Sequence, residues 1–351
     1  ILNQGGNAAD AAAAAGFAMS VTLPSRAGLG GGGACIVKMP NADGNAQAPV
    51  ALLFPAGAPA GANGSRPAAI PTLARGLLAL QARYGQLPAA SVIVPAERLA
   101  GGTPVSPALE SDLQIVGPAL LSDPAAAAVF GPSGTVLPAG TNLVQPGLAA
   151  TLEILRTKGV PGFYAGNFAQ TLAAAATAAG GGLTQADLAA ATPKFVPPVT
   201  SRTHGDTLAL LPTAAATGAP LPASAGFAAL DKNGGVVACA VSMNNLFGTG
   251  RIAAGTGILL AASPHSVPAP QLAAGVAFET GNLAFRAAAT GTGQQAAALA
   301  ASTALANALN GHPAAPVPEP GRANVISCPG GHDTCTASAD PRGQGLAIGG
   351  R

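Results

Sequence analysis

Pro222-Ala223-Ser224-Ala225-Gly226-Phe227-Ala228-Ala229-Leu230, followed by Asp231-Lys232-Asn233-Gly234-Gly235 and then Val236-Val237-Ala238-Cys239-Ala240-Val241, decides the fold class. Two apolar runs, 226–230 and 236–241, flank a segment of Asp, Asn and Gly, which is a strong signal for a β-hairpin. Upstream, residues 213–222 (TAAATGAPLP) are low in complexity and read as a linker. Downstream, 258–262 is a third apolar run. Residues 276–278 and 282–286 resemble a further hairpin around Glu279-Thr280-Gly281, and 296–309 is an Ala-rich helix.

Before the linker the pattern is largely helical. Asn7 is placed to cap a helix over 7–19, and Pro24 forbids its continuation. Residues 72–84 carry apolar side chains at helical spacing, with Arg75 and Arg83 for the wet face. Further helices are expected over 91–101, 146–158 (stopped by Gly159), 168–179 and, short and capped, 183–188. Residues 34–39 and 50–54 read as buried strands, and Pro197-Pro198 marks a break. Helices in one half and hairpins opening the other predict a layered α+β or sandwich architecture, not a βαβ repeat.

Composition narrows the function. Of 351 residues, 48 are Gly and only 9% are charged, with a formal net charge of +2. Such a balance excludes a nucleic-acid or polyanion binder. The high apolar content argues against a disordered chain, and no stretch offers about 20 strongly apolar residues in a row for a membrane span. The glycine run Gly28-Leu29-Gly30-Gly31-Gly32-Gly33 follows Pro24 and precedes a strand, the reverse of a dinucleotide fingerprint; it reads as a tight turn where another backbone comes close. Cys35 and Cys239, in apolar strand-like surroundings, are expected as buried free thiols. Cys328 and Cys335 could close a small disulfide loop or, with His332 between them, hold zinc, although the spacing matches no standard finger. His204, His265, His312 and His332 show no ligand spacing and read as surface residues, and no metal or organic cofactor is expected.

Without a histidine base or a nucleophile elbow, a hydroxyl nucleophile needs another proton acceptor, and one solution is its own N-terminal amine. Ser224, between linker and strand, is placed for this. Its hydroxyl could attack the preceding carbonyl, cleave the chain and expose an α-amino group with a pKa of about 8. A Ser before a strand is by itself ordinary.

Longer motifs make the reading specific. Gly5-Gly6-Asn7-Ala8-Ala9-Asp10-Ala11-Ala12 and the glycine run are followed by Arg83-Tyr84-Gly85-Gln86-Leu87-Pro88, Pro95-Ala96-Glu97-Arg98-Leu99-Ala100 and Gln145-Pro146-Gly147-Leu148-Ala149. Then come Phe163-Tyr164-Ala165-Gly166, Gly182-Leu183-Thr184-Gln185-Ala186-Asp187-Leu188, the 227–234 hairpin, Asn244-Asn245-Leu246-Phe247-Gly248-Thr249-Gly250 and Gly255-Thr256-Gly257-Ile258-Leu259-Leu260. Collinear over about residues 1–300, these resemble the γ-glutamyltranspeptidase family. The resemblance implies an N-terminal-nucleophile hydrolase with a four-layer αββα sandwich, made as one precursor that cleaves itself into large and small subunits. It divides the chain into a large-subunit-like segment, 1–223, and a small-subunit-like segment, 224–351.

In the family the small subunit opens with Thr-Thr-His, and its first Thr is the nucleophile. Counting back from Phe227 puts Ser224, Ala225 and Gly226 on those positions, so the hydroxyl is kept and the second Thr and His are absent. The resemblance implies that Ser242 orients the nucleophile's amine, that Asn244 and Ser266 meet the substrate, and that Gly293, within Thr290-Gly291-Thr292-Gly293, donates to the oxyanion. The family's carboxylate-gripping Arg has no counterpart in Phe54-Pro55-Ala56-Gly57-Ala58-Pro59. Its acidic pair is replaced by Ala261-Ala262-Ser263-Pro264-His265. The family's longer connection before the cleavage site implies either that this lineage has shed a helical segment or that residues are missing near 213–217 and, as a start without Met also fits, ahead of Ile1. The implied function is hydrolysis or transfer of a glutathione-like γ-glutamyl amide through an acyl-enzyme, in the periplasm or outside the cell. The alternatives are a non-catalytic scaffold and an acylase acting on another amide.

Overall fold

A computed structural model of the chain describes all residues except 42, 62, 63, 204, 215–220, 332, 333, 350 and 351. The first part runs α1 (Ala8–Thr22), α2 (Pro24–Ala27), β1 (Gly32–Lys38), β2 (Val50–Phe54), α3 (Leu73–Tyr84), α4 (Ala89–Ala100), β3 (Thr103–Pro104), α5 (Pro107–Leu120) and α6 (Pro124–Phe130). It continues through β4 (Asn142–Leu143), α7 (Pro146–Tyr164), α8 (Gly166–Ala178), α9 (Gln185–Ala190), β5 (Lys194–Val196), β6 (Val199–Thr203) and β7 (Asp206–Leu210). Then follow β8 (Ser224–Leu230), β9 (Val236–Ser242), β10 (Ile252–Ala253), β11 (Ile258–Leu259), β12 (Ala273–Glu279), β13 (Phe285–Thr292), α10 (Ala297–Leu309), β14 (Arg322–Ser327) and β15 (Thr336–Ala339).

Two antiparallel sheets stack face to face. One has the strand order β5-β2-β1-β9-β8 and the other β15-β14-β13-β12-β7-β6. Alternation along each strand sorts the side chains into layers. Ala34, Ile36, Val236, Ala238 and Ala240 meet Ala209, Ala274, Val276, Phe278 and Ala288 between the sheets. On the outer face of the first sheet Val37, Leu52, Phe54, Val237 and Val241 pack under α1, α3, α4, α7 and α8. On the outer face of the second, Ala277, Ala287, Ala289 and Val325 lie under Ala300, Ala304, Leu305 and Ala308 of α10. Helix, sheet, sheet, helix is the four-layer αββα sandwich.

Small residues bring these layers close. A Cβ on Gly226 of β8 would lie 2.4 Å from Thr290 Oγ1 of the facing β13, and one on Gly291 would lie 2.0 Å from the Ala297 carbonyl oxygen of α10. The chain passes from one sheet to the other at Pro197-Pro198, between β5 and β6. Prolines lack the N–H that would continue either ladder.

Most expected elements are present; strands β5, β6, β14 and β15 had no counterpart in the sequence reading, and three further differences stand out. Helices α5 and α6 had no counterpart in the sequence reading. The 146–158 helix resumes beyond a break at Gly159 (φ 61°, ψ −158°) and ends at Tyr164. Cys35 and Cys239 are not free thiols: they face each other across β1 and β9 and form a disulfide. Apolar surroundings hide a thiol and a disulfide equally well, and only strand register reveals the pairing. Cys328 and Cys335 are also bonded, which selects the disulfide loop over zinc; His332 and His204 lie outside the described residues. Of the 213–217 junction, 215–217 also lie outside them. No helix among the described residues is long and apolar enough to cross a membrane.

Candidate active site

The site forms where β8 begins, β9 ends and the glycine run enters β1. Ser224 pairs with Ser242 across β8 and β9, and Ser242 pairs with Gly32 of β1. The glycine run is the tight packing turn expected of it. A Cβ on Gly31 would lie 2.3 Å from the Ser242 carbonyl oxygen, and one on Gly32 would lie 2.3 Å from the Ala56 nitrogen. A side chain at Gly31 would push against the end of β9, and one at Gly32 against the chain leaving β2.

Ser224 is only 4% exposed. Its hydroxyl has no hydrogen-bond partner among the described residues. The residue lines a cleft of about 740 Å³ whose walls include Arg26, Pro222, Gly293, Gln294 and Arg322. The carbonyl oxygen of Ala223, one bond upstream, accepts two hydrogen bonds: from Ser242 Oγ at 2.8 Å and from the Met243 N–H at 3.1 Å. Ser242 Oγ itself accepts from the Asn244 N–H at 2.8 Å, which fixes its hydroxyl as a donor to Ala223. Two donors on one buried carbonyl polarise it towards attack.

Asn244 holds a left-handed backbone (φ 62°) at the turn after β9. Its Nδ2 donates to the Ala56 and Ala262 carbonyls, both at 2.9 Å, so the side chain ties the chain after β2 to the chain after β11. Only Oδ1 is left without a partner among the described residues. Gly293 lies on the cleft wall with φ 111°, ahead of the short turn leading into α10. Ser242 and Asn244 are buried and do not line the cleft, and Ser266 stands apart altogether. It is exposed, its Oγ donates to the Ser263 carbonyl at 2.9 Å, and it is not among the residues lining the cleft. His265 and His312 are exposed, as expected of them.

Sequence reasoning did not find the cationic wall. Arg26 forms a two-pronged ion pair with the buried Asp112 of α5, Nε to Oδ2 at 2.8 Å and Nη2 to Oδ1 at 2.6 Å, and Ser25 Oγ adds a bond to the same carboxylate at 2.7 Å. That leaves Arg26 Nη1 without a partner among the described residues. Arg322 Nη1 bonds Glu319 Oε2 at 2.7 Å, and Arg342, which also lines the cleft, bonds Glu319 and Asp340. The Arg322 hydrogen bond, with help from Arg342, holds Glu319 below the usual carboxylate range; Arg342 does the same for Asp340. These arginines are far apart in sequence, so no local pattern announces them.

The sequence model of the family described as gamma-glutamyltranspeptidase matches residues 1–224. The chain belongs to the gamma-glutamyltranspeptidase family. Among curated relatives, the glutathione hydrolase proenzyme of Escherichia coli (strain K12) is 36% identical over 211 residues, covering 54% of this chain and 35% of that protein. The acylase ACY 1 proenzyme of Pseudomonas sp. (strain SE83) is 34% identical over 212 residues, covering 54% and 38% respectively. The matches thus span about a third of those relatives' lengths. Of solved structures, a cephalosporin acylase from Bacillus halodurans superposes over 99% of this chain and 92% of its own with a TM-score of 0.82 at 18% identity, a likeness of fold. The gamma-glutamyltranspeptidase of Helicobacter pylori is 28% identical with a TM-score of 0.53, covering 58% of this chain and 63% of that one. The αββα expectation and the family resemblance both hold.

Proposed function

We propose that this gamma-glutamyltranspeptidase family member cuts its own Ala223–Ser224 bond and then uses Ser224 as an N-terminal nucleophile on amide substrates. The observation that carries the reading is the unpartnered Ser224 hydroxyl beside a carbonyl already held by Ser242 and Met243. Ser224 Oγ attacks the Ala223 carbonyl carbon, and the developing oxyanion stays on the oxygen those donors hold. The C–N bond breaks, the nitrogen takes the hydroxyl proton, and an ester links Ala223 to Ser224 Oγ. Water hydrolyses the ester, leaving an Ala223 carboxylate and a free Ser224 amine. The segments 1–223 and 224–351 then stay associated through the sheets they share.

The new amine, with a pKa of about 8, is the base for the second reaction. Ser224 Oγ attacks a substrate amide, an acyl-enzyme forms as the leaving amine departs, and water or another amine takes the acyl group. Ser242, freed of the Ala223 carbonyl, orients the Ser224 amine. Gly293, on the facing wall, contributes its N–H to the oxyanion, and Asn244 Oδ1 meets the substrate. No step calls for a cofactor.

The acyl donor we favour is a glutathione-like γ-glutamyl compound. Its carboxylate suits Arg26, whose Nη1 remains available while Asp112 fixes the guanidinium plane, so this residue can do what the 54–59 run lacks. Two disulfides favour an oxidising compartment, the periplasm or the exterior. The similarity to the acylase ACY 1 proenzymes keeps a second reading, an acylase on a different amide. Release rates from γ-glutamyl and non-glutamyl acyl anilides test the choice. A γ-glutamyl preference that collapses in Arg26→Lys supports the first reading; turnover of non-glutamyl anilides alone supports the second. Loss of all turnover in Ser224→Ala is required by both.

A further inference from the structure

We infer that the Cys35–Cys239 disulfide joins the two products of self-cleavage into one covalent molecule, an inference that rests on the reading of Ser224 above. Cys35 lies on β1, before the cleaved bond, and Cys239 lies on β9, after it. The other disulfide, Cys328–Cys335, has both ends after the cut and can join nothing across it. Once the Ala223–Ser224 peptide bond is gone, Cys35–Cys239 is the covalent link left between the segments.

The position of the link gives it work to do at the site. The first sheet draws β1, β2 and β5 from the leading segment and β8 and β9 from the trailing one, and β1 against β9 is the seam. Along that seam Cys35 pairs with Cys239, and Gly32 pairs with Ser242, three residue pairs away. A bond at the first pair holds the register of the second. Ser242, the donor that faces the nucleophile's strand, therefore keeps its place after the chain is cut. Both cysteines are fully buried, so the bond is shielded from exchange with solvent thiols while the sandwich stays folded.

The chemistry balances with a common oxidant. The Cys35 and Cys239 thiols lose two protons and two electrons to a disulfide-carrying oxidant through a mixed disulfide, and that oxidant leaves as its dithiol. Because the bond is buried in the finished seam, it forms before or during closure of the sheet and precedes cleavage.

The test is denaturing mass analysis of the purified full chain, alkylated and unreduced, beside a reduced sample. Two fragments on reduction and one species of their summed mass without reduction support the tether. A peptide pair carrying Cys35 and Cys239 in the unreduced digest identifies the bond without any variant. Two separate fragments in both samples overturn the tether and leave self-cleavage standing. A single unbroken chain in both overturns self-cleavage, and the tether falls with it. Cys328→Ser with Cys335→Ser should leave the wild-type pattern unchanged, whereas Cys239→Ser should free the fragments without reductant. Recovery of activity after dilution from unreduced denaturant supplies a functional readout: independent of protein concentration with the tether, and falling with dilution in Cys239→Ser.

Discussion

The unpartnered hydroxyl of Ser224 would be inert without its neighbours. Ser242 supplies one of two donors on the Ala223 carbonyl and is itself aimed by the Asn244 N–H. Loss of one such donor typically slows the step it serves by about 10²–10³-fold. Ser242→Ala should therefore slow the appearance of fragments by about that factor in a time course after denaturant dilution, and Ser242→Thr, which keeps a hydroxyl, should restore most of it. Equal rates in all three would show that the Ser242 bond has no part in cleavage. Arg26 sits under a different constraint. Arg26→Ala strands the buried Asp112 carboxylate, at a cost of about 3–5 kcal/mol, so a fall in Tm is expected along with a rise in KM. Arg26→Lys should keep more of the stability and still lose the two-pronged geometry, separating binding from folding.

Among elements, β8 and β13 show why small side chains dominate this chain. Gly226 lets Thr290 cross beneath it, and Thr290 Oγ1 is buried with no partner among the described residues. Gly226→Ala should destabilise by about 1–3 kcal/mol through overpacking, and adding Thr290→Ala should return part of that loss. Thr290→Val alone should hold or raise the denaturation midpoint, since it removes an unsatisfied hydroxyl at nearly constant volume. Additive losses in the Gly226→Ala, Thr290→Ala pair would place the strain elsewhere. The hairpin containing β8 was legible because its turn chemistry is local: Asp231 Oδ1 accepts from the Asn233 and Gly235 N–H groups. Helices α5 and α6 were missed although Ser106 and Asp123 cap them just ahead of Pro107 and Pro124. Serine or aspartate before proline also reads as a loop, and only packing against the 243–261 region settles the choice.

For the whole molecule, the collinear motifs were enough to give the four layers, because a family's order along the chain survives where each motif alone is weak; they also singled out Ser224, Ser242 and Gly293, of which the fold pairs the first two across β8 and β9 and sets the first and third on one cleft. The cleft wall was not legible, since Arg26, Arg322 and Arg342 meet only after both sheets are stacked. The disulfide seam was missed for the same reason. That wall also predicts a pH response. Glu319 and Asp340 have folded-state pKa values below their ordinary 4.5 and 3.8, so their stabilising contribution is complete above that range and is lost as pH falls through the lowered values. Hydrogen exchange of the Pro341–Gly343 turn, which carries Arg342, should therefore be steady near neutrality and quicken specifically in acid, after correction for the intrinsic rate. A turn that loosens as pH rises from neutrality would contradict the ion-pair account.

The central claim is a new chain end at Ser224, and N-terminal sequencing of the reduced, freshly folded protein tests it most directly. The account predicts a second N-terminal sequence, Ser-Ala-Gly-Phe-Ala-Ala-Leu, in equal yield with the first, and its absence from Ser224→Ala. A wild-type chain that folds with both disulfides formed and yields only its original N-terminus would contradict it.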